Sequence, residues 1–207
     1  MADFLELILN EEGRARLIKF FILNPSLKVS EDELKDKLQL DKRRIKKELD
    51  ILLKAEIVKN RKSLNKFVYF LNRDNEFYPD LKKIVAKCTV FPQLKSLERL
   101  PKTGHVKLVL VTGVFANNLK TRSDILIVGE SINKAKLLEV IKEIEAEIGK
   151  EIRYTSFTVT EYEYRLNMFD KFIREFFEGP HKVIFNLLGE KSIPNPTSKD
   201  KMNLIRR

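Results

Sequence analysis

The chain has 207 residues, of which 43% are hydrophobic and 34% are charged, and this balance predicts a globular protein of one or two domains. The single cysteine, Cys88, excludes an internal disulfide and a cysteine-rich zinc site, so we expect a cytoplasmic protein. The formal net charge of +10 favours a polyanionic partner without requiring one.

The N-terminal segment and the apolar runs bear on membrane targeting. Acidic residues at Asp3 and Glu6 interrupt the N-terminal segment too early for a secretory signal. No apolar run approaches the length of about 20 residues that a membrane span needs. We therefore expect no membrane partner.

The first elements in the chain are predicted to be helical. Apolar residues at steps of three and four predict one helix over 2–23, which should end before Asn24-Pro25. Ser30 and Glu33 have the spacing of a capping box, which predicts the start of a short second helix. After a turn through Leu38–Leu40, Asp41 is a good N-cap for a longer third helix.

The segment after the third helix completes a recognisable order of elements. The stretch VKNRKSLNKFVYFLN, residues 58–72, is typical of two short strands joined by a basic loop. Helix, short helix, turn, longer helix and hairpin is the order of a winged helix-turn-helix domain. We therefore predict a winged-helix, DNA-binding domain over 1–75.

The third helix decides what such a domain binds. At about 100° per residue, Ile45, Leu49 and Leu52 share the face that should pack on the first helix. The basic residues of the helix lie on the opposite face or on its flanks, where phosphate contact and guanine readout require them. The following loop is predicted to add Lys59, Arg61, Lys62 and Lys66. The alternative is a solvated charged face on a domain that binds protein. The candidate DNA-binding residues are Lys42, Arg43, Arg44, Lys46, Lys47, Arg61, Lys62 and Lys66.

The remainder of the chain predicts a connector, an α/β domain and a tail. We expect one or two helices over 76–104, with Phe77 and Tyr78 as apolar anchors. Over 105–190, three apolar strands alternate with two helices, 132–150 and 161–179, and Gly149 should end the first. The fold class is therefore α+β or α/β with a small mixed sheet. The polar residues 191–207 are expected to form a flexible tail.

A short motif in the α/β domain suggests its family. Gly113 closes the first strand, Ala116 lies in the loop, and Ser123-Asp124 precedes the second strand. Residues 106–166 resemble the minimal nucleotidyltransferase domain of the polymerase-β superfamily in this pattern. With Tyr78, Pro79 and Leu81 upstream, the order of elements also resembles winged-helix transcriptional regulators that carry a C-terminal nucleotidyltransferase-like domain.

The departures from the family pattern concern the residues that catalysis would need. The resemblance implies a second aspartate where Leu126 stands, a third carboxylate near Arg153, and a phosphate-binding serine where Val114 stands. Mg²⁺ requires carboxylate charge in a near-octahedral array, and phosphoryl transfer depends on that metal charge. We therefore predict no catalysis, no metal and no cofactor. Gly113, Ser123 and Asp124 then form either a vestigial nucleotide or anion site, with Lys120 and Arg122 beside it, or a structural Asx-turn.

Three functions remain open from the sequence. The first is a homodimeric transcriptional regulator that binds double-stranded DNA, with its C-terminal domain used for dimerisation or for sensing a small molecule or protein. The second is an active nucleotidyltransferase that modifies a protein or RNA. The third is an antitoxin-like module in which the winged helix binds protein.

Overall fold

The computed structural model describes residues 4–63, 66–92, 94–118, 121–189 and 192–194 as a mixture of α-helices and β-strands. The chain divides into two compact units. The first comprises Met1–Leu97 and Leu138–Ile152, and the second comprises Glu98–Leu137 and Arg153–Arg207. In the described ranges, no helix combines the length and the apolar character that a membrane crossing requires.

The N-terminal segment forms two helices, so the prediction of a single helix over 2–23 was wrong. Helix α1 spans Phe4–Leu9 and helix α2 spans Glu12–Leu23. Asn10 separates them with a left-handed φ of 48°, a conformation that asparagine tolerates better than most residues. The Glu11 carboxylate then accepts a hydrogen bond from the Gly13 amide and caps α2.

The next two helices begin at the predicted residues. Helix α3 spans Glu31–Leu38, and its capping box between Ser30 and Glu33 is confirmed by hydrogen bonds in both directions. Helix α4 spans Lys42–Lys54, and the Asp41 carboxylate accepts from the Arg44 amide as an N-cap. Both boundaries follow from side chains that satisfy helix amides within three residues.

A two-stranded antiparallel sheet follows α4. Strand β1 spans Val58–Ser63, strand β2 spans Lys66–Leu71, and Val29 extends the pairing through a bridge to Tyr69. The basic residues predicted for the hairpin loop lie within the strands instead, which corrects that expectation. They are Lys59, Arg61, Lys62 and Lys66.

The first unit has its own apolar core, which α2 dominates. Helix α2 packs against α1, α4 and α5, the last spanning Tyr78–Cys88. Phe77, predicted to be an anchor, is 61% exposed, whereas Val85 is fully buried. A 3₁₀ helix over Leu97–Thr103 follows α5 along the chain.

The second unit contains a four-stranded mixed sheet in the order β5-β4-β3-β6. Strand β3 spans His105–Val111, β4 Ile125–Glu130, β5 Tyr154–Phe157 and β6 Lys182–Asn186. Only β4 and β5 are parallel, and the other pairs are antiparallel. Strand β6 was not predicted, since its pairing with β3 joins residues more than 70 positions apart.

The remaining α-helices of the described residues are α6, Lys134–Ile148, α7, Val159–Asn167, and α8, Lys171–Glu178, and a short 3₁₀ helix spans Gly113–Ala116. Gly149 ends α6 with a φ of +80°, as predicted. The helix expected over 161–179 is instead two helices, and Asp170 caps the second through the amides of Phe172 and Ile173. Most of the predicted tail, residues 195–207, lies outside the described residues.

Candidate nucleic-acid interface and the Asp124 site

Helix α4 has one buried face and one basic face. Ile45, Leu49 and Leu52 are each at most 1% exposed, which confirms the predicted inward face. The outward side carries exposed cationic side chains along the full length of the helix. They are Arg43, Lys46, Lys47 and Lys54.

Several of the candidate DNA-binding side chains form no strong ion pair with other described residues. Arg43, Lys46, Arg61 and Lys62 are exposed, and none forms an ion pair with another described residue. The Lys47 side chain is 69% exposed, and its Nζ lies 3.9 Å from Glu48 Oε1, at the outer limit of an ion pair. These side chains can therefore reach an external anion without losing a strong internal contact.

Lys42 and Lys66 share one acidic partner, Asp32 of α3. The Lys42 Nζ donates to Asp32 Oδ1 at 2.9 Å, and the Lys66 Nζ lies 3.6 Å from Oδ2. The hydrogen bond from Lys42 lowers the pKa of Asp32 and, in return, raises the pKa of Lys42. Asp32 thus links the start of α4 to the start of β2 and offsets part of the charge of both lysines.

Arg44 occupies a different environment from its neighbours. Its guanidinium donates to Glu11 Oε1 through Nε at 2.9 Å and through Nη2 at 2.5 Å, and Nη1 lies 3.5 Å from Glu12 Oε2. The hydrogen bond from Arg44 lowers the pKa of Glu11. With its side chain 34% exposed, Arg44 connects α4 to the N-terminus of α2.

A buried ion pair, which sequence reasoning missed, also attaches α4 to α2. The Glu48 carboxylate is fully buried and accepts from Arg14 Nε at 2.8 Å through Oε2. Its Oε1 receives no hydrogen bond from the described residues. The helical period could have identified Glu48, because it lies three residues after Ile45 and four before Leu52 on the buried face. A polar residue at such a position needs a partner.

Asp124 lies at the start of β4 and is 2% exposed. Its Oδ1 accepts from the Val114 amide at 2.9 Å and from Arg153 Nη2 at 3.2 Å. Its Oδ2 accepts from the Arg153 amide at 3.0 Å and from Arg153 Nε at 3.1 Å. These partners are 10 and 29 residues away, so the carboxylate bridges distant segments instead of forming a local Asx-turn, which was one of the two alternatives that the sequence left open.

The other members of the motif surround this carboxylate. Gly113 has a φ of +56°, and a Cβ there would lie 1.9 Å from Asp124 Oδ1, so only glycine fits. The Ser123 hydroxyl lies 3.0 Å from the Ile125 carbonyl and 3.1 Å from the Arg153 carbonyl, and its single hydrogen can be donated to either one. Leu126, at the place of the second carboxylate, is fully buried in the apolar cluster of the second unit.

The remaining candidates near Asp124 are the cations Arg122 and Lys120. Arg122 is paired with Glu175 at 3.2 Å, and Lys120 lies outside the described residues. Within the described ranges, no three His, Cys, Asp or Glu side chains are placed so that they could hold a metal ion. The geometry at Asp124 is therefore that of a buried, saturated carboxylate paired with a half-exposed arginine.

We compared the chain with known protein families, curated proteins and solved structures. No protein-family model, no curated protein and no solved structure matches the chain.

Proposed function

We propose that the protein is a cytoplasmic transcriptional regulator that binds double-stranded DNA through a winged helix-turn-helix domain within residues 1–75. In this proposal α3 and α4 are the helix-turn-helix pair, α4 is the recognition helix, and β1 with β2 forms the wing. The hydrogen bonds between Val29 and Tyr69, at 2.7 and 3.0 Å, support this assignment because they attach the hairpin to the segment before α3.

The observation that carries the proposal is the group of exposed cations without strong internal partners on α4 and β1. A basic side chain already bound within the protein gains less from a phosphate, because one favourable contact replaces another. Arg43, Lys46 and Lys47 would enter the major groove, where arginine and lysine recognise guanine. Arg61 and Lys62 would contact phosphates from the wing.

The paired cations take different roles in the proposal. Arg44 is assigned to positioning α4 rather than to the groove, because Glu11 and Glu12 hold its guanidinium. Lys42 and Lys66 can reach DNA only by loosening their contacts with Asp32. The acidic first turn of α3, which includes Glu31 and Asp32, would keep phosphates away from that helix end.

For the second unit we propose a nucleotidyltransferase-like domain without catalytic activity, used for dimerisation or for sensing a small molecule or protein. Two observations support the loss of catalysis. Arg153 places a positive charge on the carboxylate that a divalent ion would need, and Leu126 is buried in an apolar cluster. Mg²⁺ is typically held in near-octahedral geometry by one or two carboxylates together with phosphate oxygens and waters, and the carboxylate of Asp124 is already bound by Arg153.

A homodimer would determine the symmetry of the DNA site. Two-fold symmetry places two recognition helices against two half-sites, so the operator would be roughly palindromic, with half-site centres about one helical turn apart.

A matched pair of charge reversals tests DNA binding. Lys47→Glu puts a negative charge on the outward face of α4, and we expect it to abolish binding to duplex DNA. Lys136→Glu makes the same change of charge at an exposed position of α6 and should weaken binding only slightly. Equal loss in both variants, measured by fluorescence anisotropy, would show that net charge rather than α4 governs binding and would refute the assignment.

A further inference from the structure

One acidic residue lies on the basic face of α4. Asp50 is exposed and follows Arg43 by seven residues, which is about two helical turns, so the two side chains project within about 20° of each other. Lys47 and Lys54 flank it at positions i−3 and i+4. A carboxylate at this place opposes the attraction of the face for phosphate.

The contribution of Asp50 to the isolated protein is small: its charge helps to raise the pKa of Tyr69, though less than burial and Glu31 do. Aspartate is a poor helix former in a helix interior, and this one lies past the middle of α4, where the helix dipole no longer favours an acid. Although lysines stand at suitable helical spacings, Asp50 has no ion pair or hydrogen bond with another described residue. The conflict between this acid and the basic residues around it makes Asp50 a position at which to look for a function.

We propose that Asp50 is a specificity-determining residue that accepts a hydrogen bond from the N4 amino group of a cytosine in the major groove. This inference rests on the proposed function. Aspartate and glutamate accept from cytosine N4, whereas the other base-edge contacts of the groove are made by cationic, amide or hydroxyl side chains. Asp50 therefore favours cytosine over the other bases, while its negative charge lowers the affinity for DNA of any sequence.

The spacing along α4 adds a positional expectation. Arg43 and Asp50 are separated by about 10.5 Å along the helix axis at 1.5 Å per residue. Base pairs are stacked at about 3.4 Å, so a helix lying along the groove would place the two side chains about three base pairs apart. A half-site should therefore hold a guanine, contacted by Arg43, and a cytosine about three pairs away.

The test is selection of bound duplexes from a randomised DNA pool with the full chain, followed by affinity measurement on single-base variants. For the wild type we expect one position that prefers cytosine, and its replacement should weaken binding roughly ten-fold or more. Asp50→Asn should change the preference at that position alone to adenine, because asparagine pairs with adenine N6 and N7.

Asp36→Asn is the matched control, because it removes one exposed acidic charge from α3 of the same unit. Its base preferences should equal those of the wild type. If Asp50→Asn keeps the wild-type preferences and gains affinity by the same factor as Asp36→Asn, Asp50 acts only as a charge and the inference is overturned while DNA binding stands. A wild-type protein that binds no duplex overturns both proposals.

Discussion

Arg153 saturates Asp124 with both its main chain and its side chain. The Arg153 amide and Nε lie 3.0 and 3.1 Å from Oδ2, and Nη2 lies 3.2 Å from Oδ1. With the Val114 amide, four donors occupy the roughly four acceptor positions of one carboxylate. Asp124 therefore holds together the turn after β3, the start of β4 and the approach to β5, and has no oxygen lone pair left for a ligand.

Asp124→Ala should destabilise the protein by about 2–5 kcal/mol, because the Val114 and Arg153 amides would lose their acceptor and an unmade buried hydrogen bond costs about 1–3 kcal/mol. Urea unfolding followed by circular dichroism measures the change. Glu163→Ala, which removes an exposed acid from α7, is the control and should shift stability by less than about 0.5 kcal/mol. Equal midpoints for the two variants would contradict the structural role of Asp124.

Gly113→Ala should be as damaging as loss of Asp124, since the new methyl group would lie 1.9 Å from Asp124 Oδ1. Gly189→Ala is the control, because it measures the cost of backbone strain without a steric clash. Gly189 also has a positive φ, +84°, but nothing lies within 4 Å of a Cβ built there. We expect a cost of about 1 kcal/mol at Gly189 and at least twice that at Gly113. Similar thermal midpoints for the two variants would show that the carboxylate moves aside.

The ion pair between Glu11 and Arg44 should make stability depend on pH. The pKa of Glu11 is lowered from 4.5 in the folded state, chiefly by the Arg44 hydrogen bond. The stabilisation is therefore fully present above pH 4.5 and is lost as pH falls through the folded-state pKa. Glu11→Gln keeps an acceptor for the Gly13 amide but removes the charge, so the variant should be less stable than the wild type at pH 7, and the difference should shrink as the pH falls below 4.5. A difference that does not change with pH would contradict this.

Asp32→Asn should strengthen DNA binding, because it releases Lys42 and Lys66 from their shared partner. Each additional phosphate contact changes the slope of log K against log salt by about −0.9, so the slope should steepen by up to about two. Asp36→Asn, on the same helix, should leave the slope unchanged. An unaltered slope for Asp32→Asn would show that neither lysine reaches the DNA backbone.

Local signals in the sequence predicted much of the first unit. Ser30 and Asp41 cap their helices through amides three residues away, and Ile45, Leu49 and Leu52 follow the helical period, so short stretches contain the necessary information. The break at Asn10 was missed because the apolar spacing continues across it. The cap at Glu11 was a local signal that could have located the start of α2.

The elements and contacts that the sequence did not reveal depend on distant partners. Strand β6 is defined by pairing with β3, Arg44 by Glu11 at a separation of 33 residues, and Asp124 by Arg153 at a separation of 29. An arginine on a helix flank has the same local pattern whether it faces solvent or an acid from another helix. Only the tertiary packing distinguishes the two.

The dependence of DNA affinity on salt tests the central claim most directly. If Arg61 and Lys62 contact phosphates, log K for duplex DNA should fall linearly with log salt at a slope of about −1.8 for each bound protomer, or about −3.6 for the proposed homodimer. The affinity of the homodimer should thus drop about a hundred-fold between about 50 and 200 mM salt. Affinity that stays constant over this range, or no measurable binding at about 50 mM, would contradict the account.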